Sequence, residues 1–145
     1  MNVINNNERE QAWNSVERMF AVIVFTPEGN VLDANPVFLG AMGYSLDEVL
    51  GQHHRKFCDS KLTESAEYTT FWEALRRGES QHGTFRRLRK DGSEIFLYAE
   101  YAALVDEQGA VIKVVKVAQN VSRVAENLIR HLGMSEKLIG RLMTL

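Results

Sequence analysis

The chain has 145 residues, enough for one domain with its own core and no need of cross-links. Hydrophobic residues make up 45% and charged ones 25%, as in soluble globular chains, and a net charge of −2 exerts no general pull toward nucleic acid or anionic lipid. One cysteine excludes an internal disulfide, and neither a long apolar run nor a basic-then-apolar leader occurs, so the expectation is a cytoplasmic segment with no membrane span.

In chain order, residues 6–19 begin with cap-type asparagines and acidic residues. They then carry Ala12, Val16 and Met19 or Phe20 at helical spacing, which predicts an amphipathic helix. "AVIVFT" predicts a buried strand, "PEGN" a turn and "VLDA" a second strand that closes a hairpin. Asn35 and Pro36 read as the cap and first residue of a short helix ended by Gly43. Ser45 with Glu48 forms a capping box for another, stopped by Gly51. "SAEYTTFWEALRRG" predicts the longest internal helix, residues 65–77, with Tyr68, Phe71 or Trp72, and Leu75 on one face.

After that helix the pattern turns to strands. "HGTFRRLRK", "SEIFLYAEYAALV" and "AVIKVVKVAQN", separated by "DG" and "DEQG", predict three of them joined by tight turns. From Val121 a helical pattern returns. Val121, Val124, Leu128, Leu138, Leu142 and Leu145 keep a heptad register that His131, Ser135, Gly133 and Gly140 weaken. The whole is α+β: a five-stranded antiparallel sheet with short helices on one face, flanked by N- and C-terminal helices.

"GQHHRKFCDS" holds residue types that ligate metals or act as nucleophile and base: His53, His54, Cys58 and Asp59. His54 and Cys58 would share a helix face, but two ligands make no metal site and a cysteine–histidine pair lacks an orienting third group. Adjacent helical residues point about 100° apart, so one histidine can face inward and the other solvent. Phe71, Trp72, Phe85, Phe96 and Tyr101 could stack on a planar ligand or form core. In "RRLRK" the charges split between two strand faces, with Arg87 on the face of Phe85. The strand "SEIFLYAEYAALV" is apolar on both faces, so its outer face needs a cover. Trp13, Val16 and Phe20 of the first helix are the candidates, from the same chain or a second copy.

The segments "VLDANPVFLGAMGYSLDEVLGQHH", "FWEALRRGE", "FRRLRKDGSEIFLYAEY" and "DEQGAVIKVVKVAQNVS", in this order and spacing, resemble a PAS domain over residues 21–122. The variant is most similar to PAS domains of bacterial methyl-accepting chemotaxis and aerotaxis proteins. The resemblance implies residues 1–20 as a capping or dimerisation helix, 21–120 as the sensor, and 121–145 as an output helix leading to a signalling domain. It implies a pocket with Asn35, His53, His54, Phe57, Trp72, Phe85, Arg87 and Tyr101 as candidates, and signal coupling through Asn120, Val121 and Ser122, where relatives commonly have Asp-Ile-Thr. No cofactor is favoured, and haem and FAD both stay open. A haem-binding relative needs an axial histidine, which the long helix lacks, leaving His53 or His54. The implied function is a non-catalytic sensor for a redox, gas or small-molecule stimulus. It would act as a homodimer upstream of a chemoreceptor coiled coil and its histidine kinase. The alternatives are a structural dimerisation domain with a filled cavity, or a His/Cys-based metal protein or enzyme.

Overall fold

Asn5 opens the first helix by accepting from the Glu8 N–H at 2.8 Å while Glu8 Oε1 accepts from the Asn5 N–H at 3.0 Å. The computed structural model, which describes residues 3–133 and 135, continues from this box into α1 (Asn6–Met19). The hairpin β1 (Ala21–Phe25) and β2 (Val31–Ala34) follows, then α2 (Pro36–Met42) and α3 (Leu46–Val49). A one-turn 3-10 helix (His54–Phe57) and α4 (Ser60–Thr63) lead to the long α5 (Ala66–Arg76). The chain finishes with β3 (Gln81–Leu88), β4 (Glu94–Val105), β5 (Val111–Asn120) and α6 (Ser122–Leu132). The sequence pattern does not reveal α4, a single turn held by Asp59, whose carboxylate accepts from the Leu62 N–H at 2.8 Å.

The strands form one antiparallel sheet of order β2-β1-β5-β4-β3, which puts β5 in the centre. Alternate residues of each strand point to one face, so Ile23 and Phe25 of β1, Val114 of β5, and Ile95 and Leu97 of β4 are all buried there. Phe38, Met42, Phe57 and Leu75 close that face from the helical side. Each such side chain contributes about 1.5–3 kcal/mol on leaving water, which is why this layer fixes the register.

Asn35 acts as a joint between elements, apart from the buried cluster. Its Oδ1 accepts from Val22 N–H and Phe38 N–H, each at 2.9 Å, while Nδ2 donates to Glu17 O at 3.0 Å and Phe20 O at 2.9 Å. One amide thus ties α1, β1 and α2 together, and with both its ends engaged it has no reach into the interior. Asn35→Ala is expected to lower stability by about 2 kcal/mol, the upper range for a lost helix cap, measured by urea unfolding.

Two further expectations change. The N-terminal helix does not cover the whole outer face: α1 buries no residue, and Trp13, 41% exposed, lines a shallow cleft with Val22, Leu104 and Val115. Tyr98, farther along β4, is 54% exposed. The helix that carries the first part of the heptad pattern ends at Leu132. Gly133 takes the left-handed conformation (φ +66°) and closes α6, its N–H bonding Leu128 O, a geometry that ends a helix rather than weakening it. The face of α6 that meets the sheet centres on buried Ala125, not on Val124, which is 59% exposed. Leu138, Leu142 and Leu145 lie outside the described residues.

The joint before α6 is made by hydrogen bonds. Asn120 Oδ1 accepts from Ser122 N–H at 3.0 Å, Ser122 Oγ accepts from Phe96 N–H at 2.9 Å, and Val121 N–H donates to Phe96 O at 2.8 Å. The C-terminal helix α6 is thereby tied to β4 as well as to its own strand.

Candidate functional site

The buried face of the sheet holds a polar cluster. His54, on the 3-10 helix, is fully buried, with Nδ1 at 2.8 Å from the Tyr68 hydroxyl and Nε2 at 2.9 Å from the Tyr101 hydroxyl. Whichever ring nitrogen carries the proton, one hydroxyl donates and the other accepts. Arg87 Nη2 donates to Tyr101 Oη at 3.1 Å, and Nη1 to Arg86 O at 2.9 Å. The chain Tyr68–His54–Tyr101–Arg87 therefore links α5, the 3-10 helix, β4 and β3. Lys116, on the central strand, stands opposite Tyr101 in the β4–β5 register and holds Nζ 4.9 Å from that ring's centre.

Aromatic rings enclose the cluster. His54 meets Phe25, Phe57, Trp72 and Tyr101 edge-on, at centroid distances of 5.3–6.4 Å, and Tyr68 nearly in parallel at 5.7 Å. Phe71 packs edge-on against Tyr101 at 4.8 Å. Trp72 Nε1 is buried near the Tyr68 hydroxyl but meets no acceptor at hydrogen-bonding geometry.

These surroundings set the charge states. Burial, then the Arg87 and Lys116 charges, hold His54 well below the ordinary histidine value, so the imidazole is neutral near pH 7. Burial, then Arg87, likewise pushes Lys116 well below its ordinary value. Burial drives the Tyr101 hydroxyl up to about 12 against the opposing pull of Arg87, and it raises Tyr68 and the Cys58 thiol as well. The two hydroxyls are thus permanent hydrogen-bonding groups at physiological pH.

Of the pocket candidates, the structure brings His54, Phe57, Trp72, Phe85, Arg87 and Tyr101 together on the buried face. His53 is turned toward the β1–β2 turn. Its Nδ1 accepts from Arg55 N–H, and Nε2 lies 2.9 Å from Glu28 O in the β1–β2 turn. Gly29 makes this fit, because at φ +93° an added Cβ would come within 2.8 Å of His53 Nε2. The quartet His53, His54, Cys58 and Asp59 disperses as well. Cys58 Sγ lies 3.7 Å from His54 Nδ1, but Asp59 caps α4 and pairs with Arg86 at the surface. Among the described residues no three histidine, cysteine or acidic side chains gather as a metal site would need. Lys116 escaped sequence reasoning, yet a signal exists: it shares its strand parity with Val114 and Ala118, so it must face inward with them.

A five-stranded antiparallel sheet with a buried polar cluster between it and short helices, and with a helix following its central strand, defines an α+β domain. The chain belongs to the PAS domain family, whose profile matches residues 19–123. Biofilm dispersion protein BdlA of Pseudomonas aeruginosa is 41% identical over 110 residues, which cover 76% of this chain and 26% of that protein. The aerotaxis receptor of Escherichia coli is 24% identical over 131 residues, covering 79% of this chain and 26% of the receptor. This chain thus spans about a quarter of the length of either relative. In structure, a PAS domain from Colwellia psychrerythraea superposes with a TM-score of 0.68 at 16% identity, over 80% of this chain and 98% of that one.

Proposed function

We propose that this chain is the non-catalytic sensory module of a bacterial chemotaxis-type transducer. A stimulus acting on the His54–Tyr101 cluster shifts the sheet, and the sheet shifts α6. One observation carries the reading: Tyr101, hub of the buried hydrogen bonds, lies on β4, the strand that also bonds the start of α6 through Phe96. A coupling of about 1–3 kcal/mol between two packings of this joint suffices for signalling. The partners are a second copy, met through the α1 side near Trp13, Val16 and Phe20, and a coiled coil that controls a histidine kinase. The location is cytoplasmic, consistent with the fact that no helix among the described residues is long and apolar enough to cross a membrane.

Fused ahead of a chemoreceptor signalling domain, Tyr101→Phe should change kinase output, because it removes the hydroxyl while keeping the ring. Ser122→Ala should do the same at the other end of the path. Unchanged output from both folded variants would leave a structural dimerisation domain as the better description. Light scattering with and without residues 1–20 measures the dimer.

A second reading, haem as the sensing group, has its own observation. His54 is buried and neutral, the imidazole form that ligates iron, and it comes from the 3-10 helix rather than the long α5. The donor fits an axial ligand, whereas the direct ring contacts around it require Tyr68 and Tyr101 to give way. Bound haem would supply gas or redox sensitivity. A Soret band in protein from haem-supplemented cells, lost in His54→Ala, would support it, and a blank spectrum favours a small-ligand sensor.

A further inference from the structure

Asn35 divides its contacts by type. Its Oδ1 accepts from the Val22 and Phe38 N–H groups of β1 and α2, and its Nδ2 donates to the Glu17 and Phe20 carbonyls at the end of α1. These partners fix the amide's orientation, since backbone N–H groups only donate and carbonyls only accept. One side chain therefore caps α2 with its oxygen and holds α1 with its nitrogen.

The rest of the α1 seat is loose. No residue of α1 is buried. A cleft of about 520 Å³ opens between α1 and the outer sheet face at Trp13, Val22 and Val115, and a groove of about 550 Å³ opens toward α2 at Asn14, Arg18 and Val37. Glu17, Asn35 and Pro36 line both, so the amide bridges α1 to the domain between two open spaces. A helix of 14 residues is marginal in water by itself, so the persistence of α1 depends on its docking.

The same residue reaches the interior through α2. Phe38, whose N–H Asn35 caps, packs edge-on against Phe57 at 5.3 Å, and Phe57 meets His54 edge-on at 6.4 Å. A contiguous packed route thus runs from the polar cluster to α1, separate from the Phe96 joint that holds α6.

We propose, resting on the sensory reading above, that α1 is a releasable arm latched by the Asn35 amide nitrogen, and that rearrangement at His54, passed through Phe57 and Phe38, sets how firmly the latch holds. The two-state element that such coupling requires is α1 itself, docked or released. Release alters the surface of Trp13, Val16 and Phe20 assigned above to a second copy.

The test is hydrogen–deuterium exchange of the purified chain, comparing peptides from α1 with peptides from β5. In the wild type, α1 should exchange faster than β5 and respond less to low urea, as a local opening does. Asn35→Asp is the discriminating variant. Aspartate caps a helix as well as asparagine does, so the acceptor bonds to Val22 and Phe38 survive, while both donors to α1 are lost. Exchange in α1 should quicken about 10-fold or more, as loss of two hydrogen bonds predicts, with β5 unchanged. Tyr101→Phe should alter α1 exchange in the wild-type background and not in Asn35→Asp. Equal α1 exchange in Asn35→Asp and wild type, or wild-type α1 and β5 opening together, would overturn the latch. A Tyr101→Phe effect that is absent, or the same in both backgrounds, would overturn its coupling to the cluster. The two readings fail separately. If Tyr101→Phe alters kinase output while α1 exchange ignores both substitutions, the latch falls and the sensor stands. If Asn35→Asp frees α1 but output ignores Tyr101→Phe and Ser122→Ala, the sensor reading is the one that falls.

Discussion

His54→Ala is expected to destabilise the domain by about 3–5 kcal/mol, the range for truncating a large, fully buried ring. At this chain length that lowers the thermal midpoint by roughly 10 °C or more. Two effects add. The removed imidazole leaves a void bounded by Phe25, Phe57, Trp72 and Tyr101, in an interior too closely packed to refill it. The Tyr68 hydroxyl also loses its imidazole partner, and Tyr101 keeps only the Arg87 contact among its bonds described above. His53→Ala, two contacts at the surface turn, should cost far less, though the two residues are neighbours in sequence. Similar losses for both, read by denaturant unfolding with unchanged m-value, would contradict this division of roles.

Lys116→Met should do the opposite and stabilise the ligand-free protein by about 1–4 kcal/mol, since an apolar side chain of similar volume replaces a buried base. The sign of the pH dependence follows from the depressed lysine. Well above pH 10.5, Lys116 is neutral in both folded and unfolded chains. Below that, the unfolded chain takes up a proton that the folded one refuses, so wild-type stability falls as the pH is lowered toward the folded-state value. The advantage of Lys116→Met therefore grows on going from pH 10 to pH 7 and shrinks in the other direction. His54 adds a second loss below about pH 6.5, because it too is held neutral in the fold, where it faces Tyr68, Tyr101, Cys58, Arg87 and Lys116. Thermal unfolding of both proteins across pH 5–10 measures the curves. A pH-independent difference between them would mean that Lys116 titrates as it does in water.

The local elements were legible from the residues alone because their causes are local. Asn35 before Pro36, Ser45 with Glu48, and the "DG" and "DEQG" turns each act within a few positions, so short-range hydrogen bonding and backbone preference specify helix starts and hairpins. Strand parity likewise placed Phe85 and Arg87 on one face. What sequence did not determine is which inward side chains meet. Arg87 pairs with Ile95, well along β4 from Tyr101, yet their tips meet at 3.1 Å. Asn35 and His53 looked equal to His54 as pocket residues, and the turns they brace sent them elsewhere. The sequence determined the elements and their faces, since those depend on nearest neighbours in the chain. The tertiary structure alone decided that two buried bases, two tyrosines and one histidine share a single apolar interior, because the strand order and the register of β4 with β5 set distances that no local pattern records.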